Sequence, residues 1–482
     1  MATGGSAATT MRRSNLTALL GATVIFSAGA LGASAALASH GESVFFEAPN
    51  ALLTPATQAA TLTQLQSLGV RALRVIIYWR DVAPNPNHRT RPNFNQSSPA
   101  SYDWSAYDPL IAAARALHWK LLLTVSGPVP RWATPHGEDI YSDPNAGEFG
   151  RFVEAVGRHY GRQIKLFSIW NEPNEPGFLR PQYVHGKLAS AAIYRGLFLA
   201  AYRGLRASGS LPGMTVLMGE TSPTGVAVQG VPAPLLFLRG VLCLNSAYRP
   251  VGHCAQLPAG GYAQHPYSNS RGPFWVPPAD DVTIGTIGRL VTALNRAAAV
   301  HAIRPGLPVY ITEFGVQSTP NPYVGVSLAR QAEFQAIAEH IAWSNPRVVS
   351  FGQYLLRDDV PANGHVVGFQ TGLETAGGAH KPVFAGFRLP LTVTVTSRSG
   401  VSFWGLVRPA RKPTSLELQY SADGGRSWHG VARERTASDG SWSGTGHLAP
   451  GRLWRVQWTS PDGQTFDGAP TRAYSSTGQV YS

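Results

Sequence analysis

Two glutamates stand at the ends of apolar runs that read as strands. Glu172 follows the apolar part of KLFSIWNEPN at 165–174, and Glu313 lies in PVYITEFGVQ at 308–317. A strand interior rejects a charge, so both carboxyls are expected where their strands open to solvent. In a parallel barrel that place is the C-terminal rim, where catalytic groups collect. Two carboxyl groups facing each other across a cleft can divide the work of cleaving an acetal. One protonates the leaving oxygen, and the other attacks the anomeric carbon. The proton donor needs a raised pKa, and a neighbouring carboxylate helps to supply one because like charges resist joint ionisation. Asn171, directly before Glu172, is placed to bond a sugar 2-hydroxyl.

The glutamates are far apart in sequence, so only a tertiary fold brings them together. Strand-like runs at 44–49, 72–79, 120–125, 165–174, 214–219, 262–267, 308–317 and 348–356 alternate with helical patterns at 54–68, 105–118, 147–160, 190–207, 284–300 and 328–343. A shorter helix is expected near 235–242, within a loop-rich stretch. This alternation predicts an α/β fold, a (β/α)8 TIM barrel over residues 39–389. An open doubly wound sheet is the alternative. It normally carries a glycine-rich phosphate turn after its first strand, and Ala48-Pro49-Asn50 stands there instead. From Leu391 the texture changes to short alternating runs, LTVTVTS, VSFWGLV, SLELQYS and RLWRVQW, separated by Asp-Gly turns. Residues 390–482 are therefore expected to form a small all-β sandwich. Trp404, Trp428, Trp442, Trp454 and Trp458 belong to it, and alternation puts many of them inside. The run SADGGRSW at 421–428 matches an Asp-box hairpin and is read as a structural turn.

At its two glutamates the chain resembles the clan A retaining glycoside hydrolases. Asn171-Glu172-Pro173 on the fourth strand and Thr312-Glu313-Phe314-Gly315 on the seventh carry the likeness, which spans about residues 44–388. The clan includes the cellulase-type family five and the β-xylosidase/iduronidase-type family. The resemblance implies that Glu172 is the acid/base, Glu313 the nucleophile and Asn171 the ligand of the 2-hydroxyl. Arg74 resembles the strand-2 arginine that keeps the nucleophile ionised. His265-Pro266-Tyr267 resembles a His-x-Tyr pair in which the Tyr hydroxyl bonds the nucleophile and the His lines the cleft. The run from Gly127 to Ala133 resembles the loop after strand 3 in the xylosidase-like families, which makes Trp132 a sugar platform. Two features depart from the pattern. The eighth strand ends in Phe351-Gly352-Gln353-Tyr354 without a Trp, and Tyr354 takes that place. The third ends in Val125-Ser126-Gly127, without the His common in cellulase-type relatives. Glu175 is a further carboxylate, read as a loop residue.

The bulk properties agree with such an enzyme. A chain of 482 residues exceeds one ordinary core, and 44% hydrophobic with 14% charged residues suits a globular protein. Twelve Trp and seventeen Tyr supply flat faces that suit sugar rings. Residues 1–38 read as an export signal: Arg12 and Arg13, an apolar Leu16–Leu37, and a small-residue cleavage site at Ala36-Leu37-Ala38. Translation starting at Met11 fits equally. The alternative to cleavage is an uncleaved membrane anchor. A secreted or extracellular location follows, or one at the cell surface. The formal charge is +13. It fits either association with an anionic cell wall or an arginine-rich solvated surface. No nucleic-acid partner is expected, because no basic helix or RNA-binding signature is present. Cys243 and Cys254, the two cysteines, are expected to form one disulfide that staples a loop. Neither a cofactor nor a metal is expected. A Gly-x-Ser-x-Gly elbow and a His-Glu-x-x-His helix are both lacking. The expected substrate is a polysaccharide or oligosaccharide, and oligomeric state stays open. The competing reading is a non-catalytic carbohydrate-binding or wall-associated protein on a barrel scaffold.

Overall fold

Eight of the apolar runs pair side by side in chain order and close on themselves. The computed structural model describes residues 42–360 and 368–481. Its barrel strands are β1 (Ser43–Glu47), β2 (Ala72–Tyr78), β3 (Lys120–Ser126), β4 (Leu166–Ile169), β5 (Thr215–Thr221), β6 (Gly261–Gln264), β7 (Val309–Ile311) and β8 (Val348–Tyr354). They close in the order β1-β8-β7-β6-β5-β4-β3-β2, and every neighbouring pair is parallel. A helix follows each strand: α1 (Pro55–Ser67), α2 (Asp108–Ala116), α3 (Ala146–Tyr160), α4 (Ser190–Ala207), α5 (Pro234–Val241), α6 (Ile287–Ala299), α7 (Leu328–Trp343) and α8 (Pro382–Arg388). The expected fold class is the observed one. The helices start where the chemistry favours a start. The Asn145 side chain accepts from the Glu148 N–H at the head of α3, and Ser327 accepts from the Arg330 N–H at the head of α7. Phe149, Phe152, Val153 and Val156 recur along α3 at helical spacing, and all are buried against the barrel.

Period-two alternation sorts each strand into two faces. One face packs on the helices: Phe46, Leu73, Leu123, Phe167 and Tyr262 belong to the large core there. The other points into the barrel. Phe45, Ala72, Leu122, Leu217 and Ala263 form a small apolar cluster inside, with Leu166 and Tyr310 against it. Two positions further along the same inward faces, the residues change character. Glu47 follows Phe45, Arg74 follows Ala72, Thr124 follows Leu122, and His265 follows Ala263. The barrel is therefore apolar at one end and charged at the rim, and this gradient positions the site.

Two expected strands are shorter than their apolar runs. The run at 165–174 keeps four residues in β4, and the run at 308–317 keeps three in β7. The chain leaves β4 before its glutamate because Trp170 and Glu172 take positive φ, 71° and 40°. Such values cost non-glycine residues about 1–3 kcal/mol each and collect at functional sites.

Beyond α8 the chain forms two sheets. One has the order β13 (Ser441–His447), β10 (Gly400–Leu406), β9 (Leu391–Val395), β16 (Ala473–Tyr474) and β17 (Val480–Tyr481). The other has β12 (His429–Arg435), β11 (Ser415–Ser421), β14 (Leu453–Thr459) and β15 (Thr465–Asp467). All their pairings are antiparallel except β9 with β16. Trp442, Trp454 and Trp458 share the core between the sheets, while Trp428 is half-buried under the Arg455 guanidinium. The Asp423 carboxylate accepts from the Arg426 and Ser427 N–H groups, so the Asp-box run is a hydrogen-bonded turn. These sheets dock on α7. Arg408 makes two 2.7 Å bonds to Glu339, Arg472 pairs with Glu333, and Trp404 stacks on His340. Cys243 and Cys254 are joined by a disulfide. The expected export signal lies outside the described residues. Among those described, no helix is long and apolar enough to cross a membrane.

Candidate active site

Arg74 is the centre from which the site is built. It is buried at the rim end of β2, and all its donors are engaged. Nε donates to Thr124 Oγ1 at 3.0 Å and to Glu220 Oε1 at 3.3 Å. Nη1 donates to Glu313 Oε1 at 2.5 Å and to Glu47 Oε1. Nη2 donates to Glu220 Oε2 at 2.6 Å and to Asn171 Oδ1 at 2.7 Å. The arginine thus holds carboxyls from β1, β5 and the chain after β7 around one planar fork. Because Asn171 Oδ1 is held by Arg74, its amide NH2 is left for the cavity.

Glu313 receives two more partners from the chain after β6. The Tyr267 hydroxyl donates to its Oε2 at 3.0 Å, and His265 Nδ1 lies 3.6 Å from the same oxygen. His265 Nδ1 is also 2.9 Å from Glu172 Oε1, a hydrogen bond. An oxygen of Glu172, an oxygen of Glu313 and a His265 nitrogen all lie within 4.8 Å of one another. The Glu172 N–H donates to the Glu220 carbonyl at 3.0 Å, which fixes the turn that carries the glutamate. A cavity of about 170 Å³ lies at this rim. Glu47, Asn171, Glu172, Glu313, Tyr78 and Tyr354 are among its walls. Hollows of about 350 and 950 Å³ lie between the barrel and the C-terminal sheets, and neither glutamate lines them.

The surroundings push the two carboxyls in opposite directions. Burial raises the pKa of Glu172, and the charge of Glu313 adds to this against the pull of His265. Burial also works to raise Glu313. The charges of His265 and Arg74, with hydrogen bonds from Arg74 and Tyr267, outweigh it and leave that carboxyl below its ordinary value. His265 is raised although burial opposes its charge, because Glu313 and Glu172 face it. Glu47 is pushed up to about 8, chiefly by burial, against the Arg74 charge and with Glu313 adding. One carboxyl is thus adapted to hold a proton and its neighbour to lack one. That is the division of labour that acid-assisted displacement at an acetal requires.

Glu172, Asn171, Arg74, His265, Tyr267, Glu313 and Tyr354 meet in one place. Trp132 does not join them. Its ring is buried edge-on to Trp79 at 5.5 Å and against Phe94 at 5.6 Å, and its Nε1–H donates to the Pro84 carbonyl at 3.2 Å. It is part of the aromatic core under the loop after β3 and does not line the cavity. Glu175 is half-buried on the turn after Glu172, raised to about 7 by burial. It does not line the cavity.

Two acids of the site went unmarked in the sequence. Glu47 sat inside the first strand run, and its signal was the alternation from Phe45. Glu220 lay one residue past the expected end of the fifth strand. A register shift between Gly219 and Thr221 turns it inward, and Gly219 permits this at φ 104°, where a Cβ would sit 2.5 Å from the Ala263 carbonyl. A bulge of this kind has no reliable sequence mark. Glu172, His265 and Glu313 converge as metal ligands can. The Arg74 guanidinium bonded to Glu313 supplies the positive charge there, and a cation beside it would be repelled.

No family model matches the sequence, and no curated protein sequence matches it. Solved structures do resemble it, and the neighbours are glycosidases with a barrel fold. A glucosidase from Croceicoccus marinus aligns over 87% of this chain and 95% of its own, at 12% identity and a TM-score of 0.51. A β-glucosidase from Thermotoga maritima in complex with galacto-hydroximolactam aligns over 66% of this chain and 80% of its own, at 13% identity and a TM-score of 0.44. The family 1 β-glucosidase of that organism, bound to isofagomine lactam, gives 14% identity over the same shares and a TM-score of 0.45. At such identities the likeness is one of fold.

Proposed function

We propose that the chain is a secreted retaining glycoside hydrolase that cleaves O-glycosidic bonds of a polysaccharide or oligosaccharide by double displacement. The observation that carries this reading is the approach of Glu172 and Glu313, whose oxygens come within 4.8 Å. Retaining enzymes hold their carboxyl groups about 5–5.5 Å apart, whereas inverting ones leave about 6.5–9.5 Å for a water. In the first step Glu313 attacks the anomeric carbon while Glu172 protonates the departing oxygen. In the second, Glu172 takes a proton from a water that attacks the same carbon, and Glu313 leaves. Arg74 and Tyr267 hold Glu313 ionised and aimed, His265 orients Glu172, and Asn171 offers its amide to the 2-hydroxyl. Tyr354 lines the same cavity. The strand-4 and strand-7 motifs favour the cellulase-type or β-xylosidase-like families within the clan. Residues 39–389 are the catalytic barrel in this reading, and residues 390–482 an accessory domain.

Secretion is proposed on the signal-like residues 1–38, and the disulfide supports it, since such bonds persist in oxidising compartments. The basic formal charge suits retention at an anionic wall.

The test is product stereochemistry. Proton NMR during hydrolysis of a β-linked substrate is expected to show the β-anomer first, with the α-anomer arising only by mutarotation. First appearance of the α-anomer would refute the retaining mechanism.

The opposed shifts also fix a pH profile. The active form needs Glu313 ionised and Glu172 protonated. Activity is expected to fall below the depressed range of Glu313 and above the raised range of Glu172, giving a bell in kcat/KM whose limbs belong to the coupled site. Glu172→Gln, assayed on a 2,4-dinitrophenyl glycoside whose leaving group needs no proton, is expected to lose the alkaline limb of glycosylation and keep the acid one. An unchanged alkaline limb would remove Glu172 from the acid role.

A further inference from the structure

Among the described residues, the cavity walls carry carboxyl groups in excess and no cationic donor left over to face the cavity. Glu47, Glu172 and Glu313 line it, with Glu220 buried behind Arg74. Among the described residues, the cations facing these acids are Arg74 from β2 and His265 from the chain after β6. Arg74 has five N–H donors, and they are directed to Thr124, Glu220, Glu47, Glu313 and Asn171. His265 turns Nδ1 to Glu172; its Nε2 is buried without a partner, and the residue does not line the cavity. The remaining polar walls are the Tyr78 and Tyr354 hydroxyls and the Asn171 amide. None of these is positively charged.

We infer that the sugar position at the cleavage point accepts an uncharged glycone and rejects uronic acids. A uronate carried into this cavity would add a negative charge to a site whose guanidinium is already saturated. None of the described wall residues is free to bond it as an ion pair, and desolvating an unpaired carboxylate is costly. The behaviour of Glu47 points the same way. Burial, with the Glu313 charge adding, pushes this acid up to about 8 even beside Arg74, and a further anion would meet the same desolvation cost. This also separates the interior from the exterior. The basic formal charge of the chain can attract an acidic polymer to the surface, while the cleft selects an uncharged residue for cleavage. The inference rests on the proposed hydrolase reading, and it chooses between the neutral-sugar and uronide substrates which that reading leaves open.

The test compares 4-nitrophenyl glycosides of neutral hexoses and pentoses with the glucuronide, galacturonide and iduronide, using the full exported chain. At about pH 6 the uronates are ionised. The best neutral substrate is expected to exceed every uronide by at least about a hundredfold in kcat/KM, the penalty of one unpaired buried charge. A uronide within tenfold of the best neutral glycoside would overturn the inference and leave the hydrolase reading standing. Calorimetric titration with an uncharged sugar lactone and with the corresponding acidic lactone gives a second arm. If no glycoside is cleaved but the neutral lactone alone binds, the charge preference holds and the hydrolase reading falls. If the acidic lactone binds as well as the neutral one, or neither binds, the preference is overturned.

Discussion

Glu313→Gln is expected to lower kcat on the order of 10⁵-fold while the protein stays folded. The exchange keeps side-chain volume and removes the anion that attacks. An amide oxygen can still accept from the Tyr267 hydroxyl, now 3.0 Å from Glu313 Oε2, and Arg74 keeps Glu47 and Glu220 as partners. Removing the Glu313 charge also relieves Glu47, whose raised pKa comes chiefly from burial and in part from that charge. The stability change should therefore be modest, within about 1–2 kcal/mol. Steady-state rates on activated aryl glycosides, with a thermal melt of the same preparation, read both quantities. Glu313→Gly supplies a second measurement. Azide admitted into the vacated space attacks the anomeric carbon directly, the aryloxide leaves, and the glycosyl azide formed has the opposite configuration. Wild-type rates in the Gln variant, or no azide adduct in the Gly variant beside an intact fold, would remove Glu313 from the nucleophile's place.

Glu313 was legible in the sequence for a physical reason. A glutamate after an apolar run is anomalous within a strand, and the anomaly is resolved only at the rim. Glu172 and Glu313 both announced themselves in this way, and so did the barrel, because eight apolar runs separated by helical patterns leave few other architectures. Arg74, His265 and Tyr267 were identified through resemblance, since single polar residues on strands carry little signal alone. Glu47 was within reach. Phe45 and Glu47 share one face of β1, so an inward Phe implies an inward Glu two residues on. Glu220 was not, because its orientation depends on a bulge at Gly219 and on a partner contributed by another strand. Trp132 shows the opposite error. A tryptophan after a strand looks like a sugar platform until the aromatic rings packed around it are known, and Trp79 and Phe94 come from separate parts of the chain. β4 ends short of its apolar run because backbone conformation, not residue type, stops the strand: Trp170 and Glu172 turn out with positive φ although nothing in Ile-Trp-Asn-Glu marks the turn.

Arg74→Met is expected to reduce both stability and activity, through one cause. The substitution keeps an unbranched side chain and removes the guanidinium shared by Glu47, Glu220 and Glu313. Breaking a buried ion pair by deleting one partner costs about 3–5 kcal/mol, because the other charge stays buried without compensation. Here Glu47 and Glu313 lose their shared Nη1 donor, and Glu220 loses its bond to Nη2. The carboxyls left behind must take up protons to remain buried. Their folded-state pKa values then lie above those of the unfolded chain, so the folded variant binds more protons and loses stability as pH rises. The deficit against wild type, measured by urea unfolding, should be largest at neutral pH. It should shrink as pH falls toward the ordinary carboxylate range, where the unfolded chain is protonated too. Activity follows the same protons. Glu313 loses a charge and a hydrogen bond that hold it ionised, so the acid limb of kcat/KM moves to higher pH. Arg74→Lys separates charge from geometry. An ammonium has three donors where the guanidinium uses five, so it can restore part of the charge balance but cannot hold Thr124, Asn171 and the carboxyls at once. It should recover more stability than activity. A Met variant with wild-type stability and an unmoved acid limb would mean that Arg74 neither balances the buried acids nor keeps Glu313 ionised, and the account of the site built around it would fall.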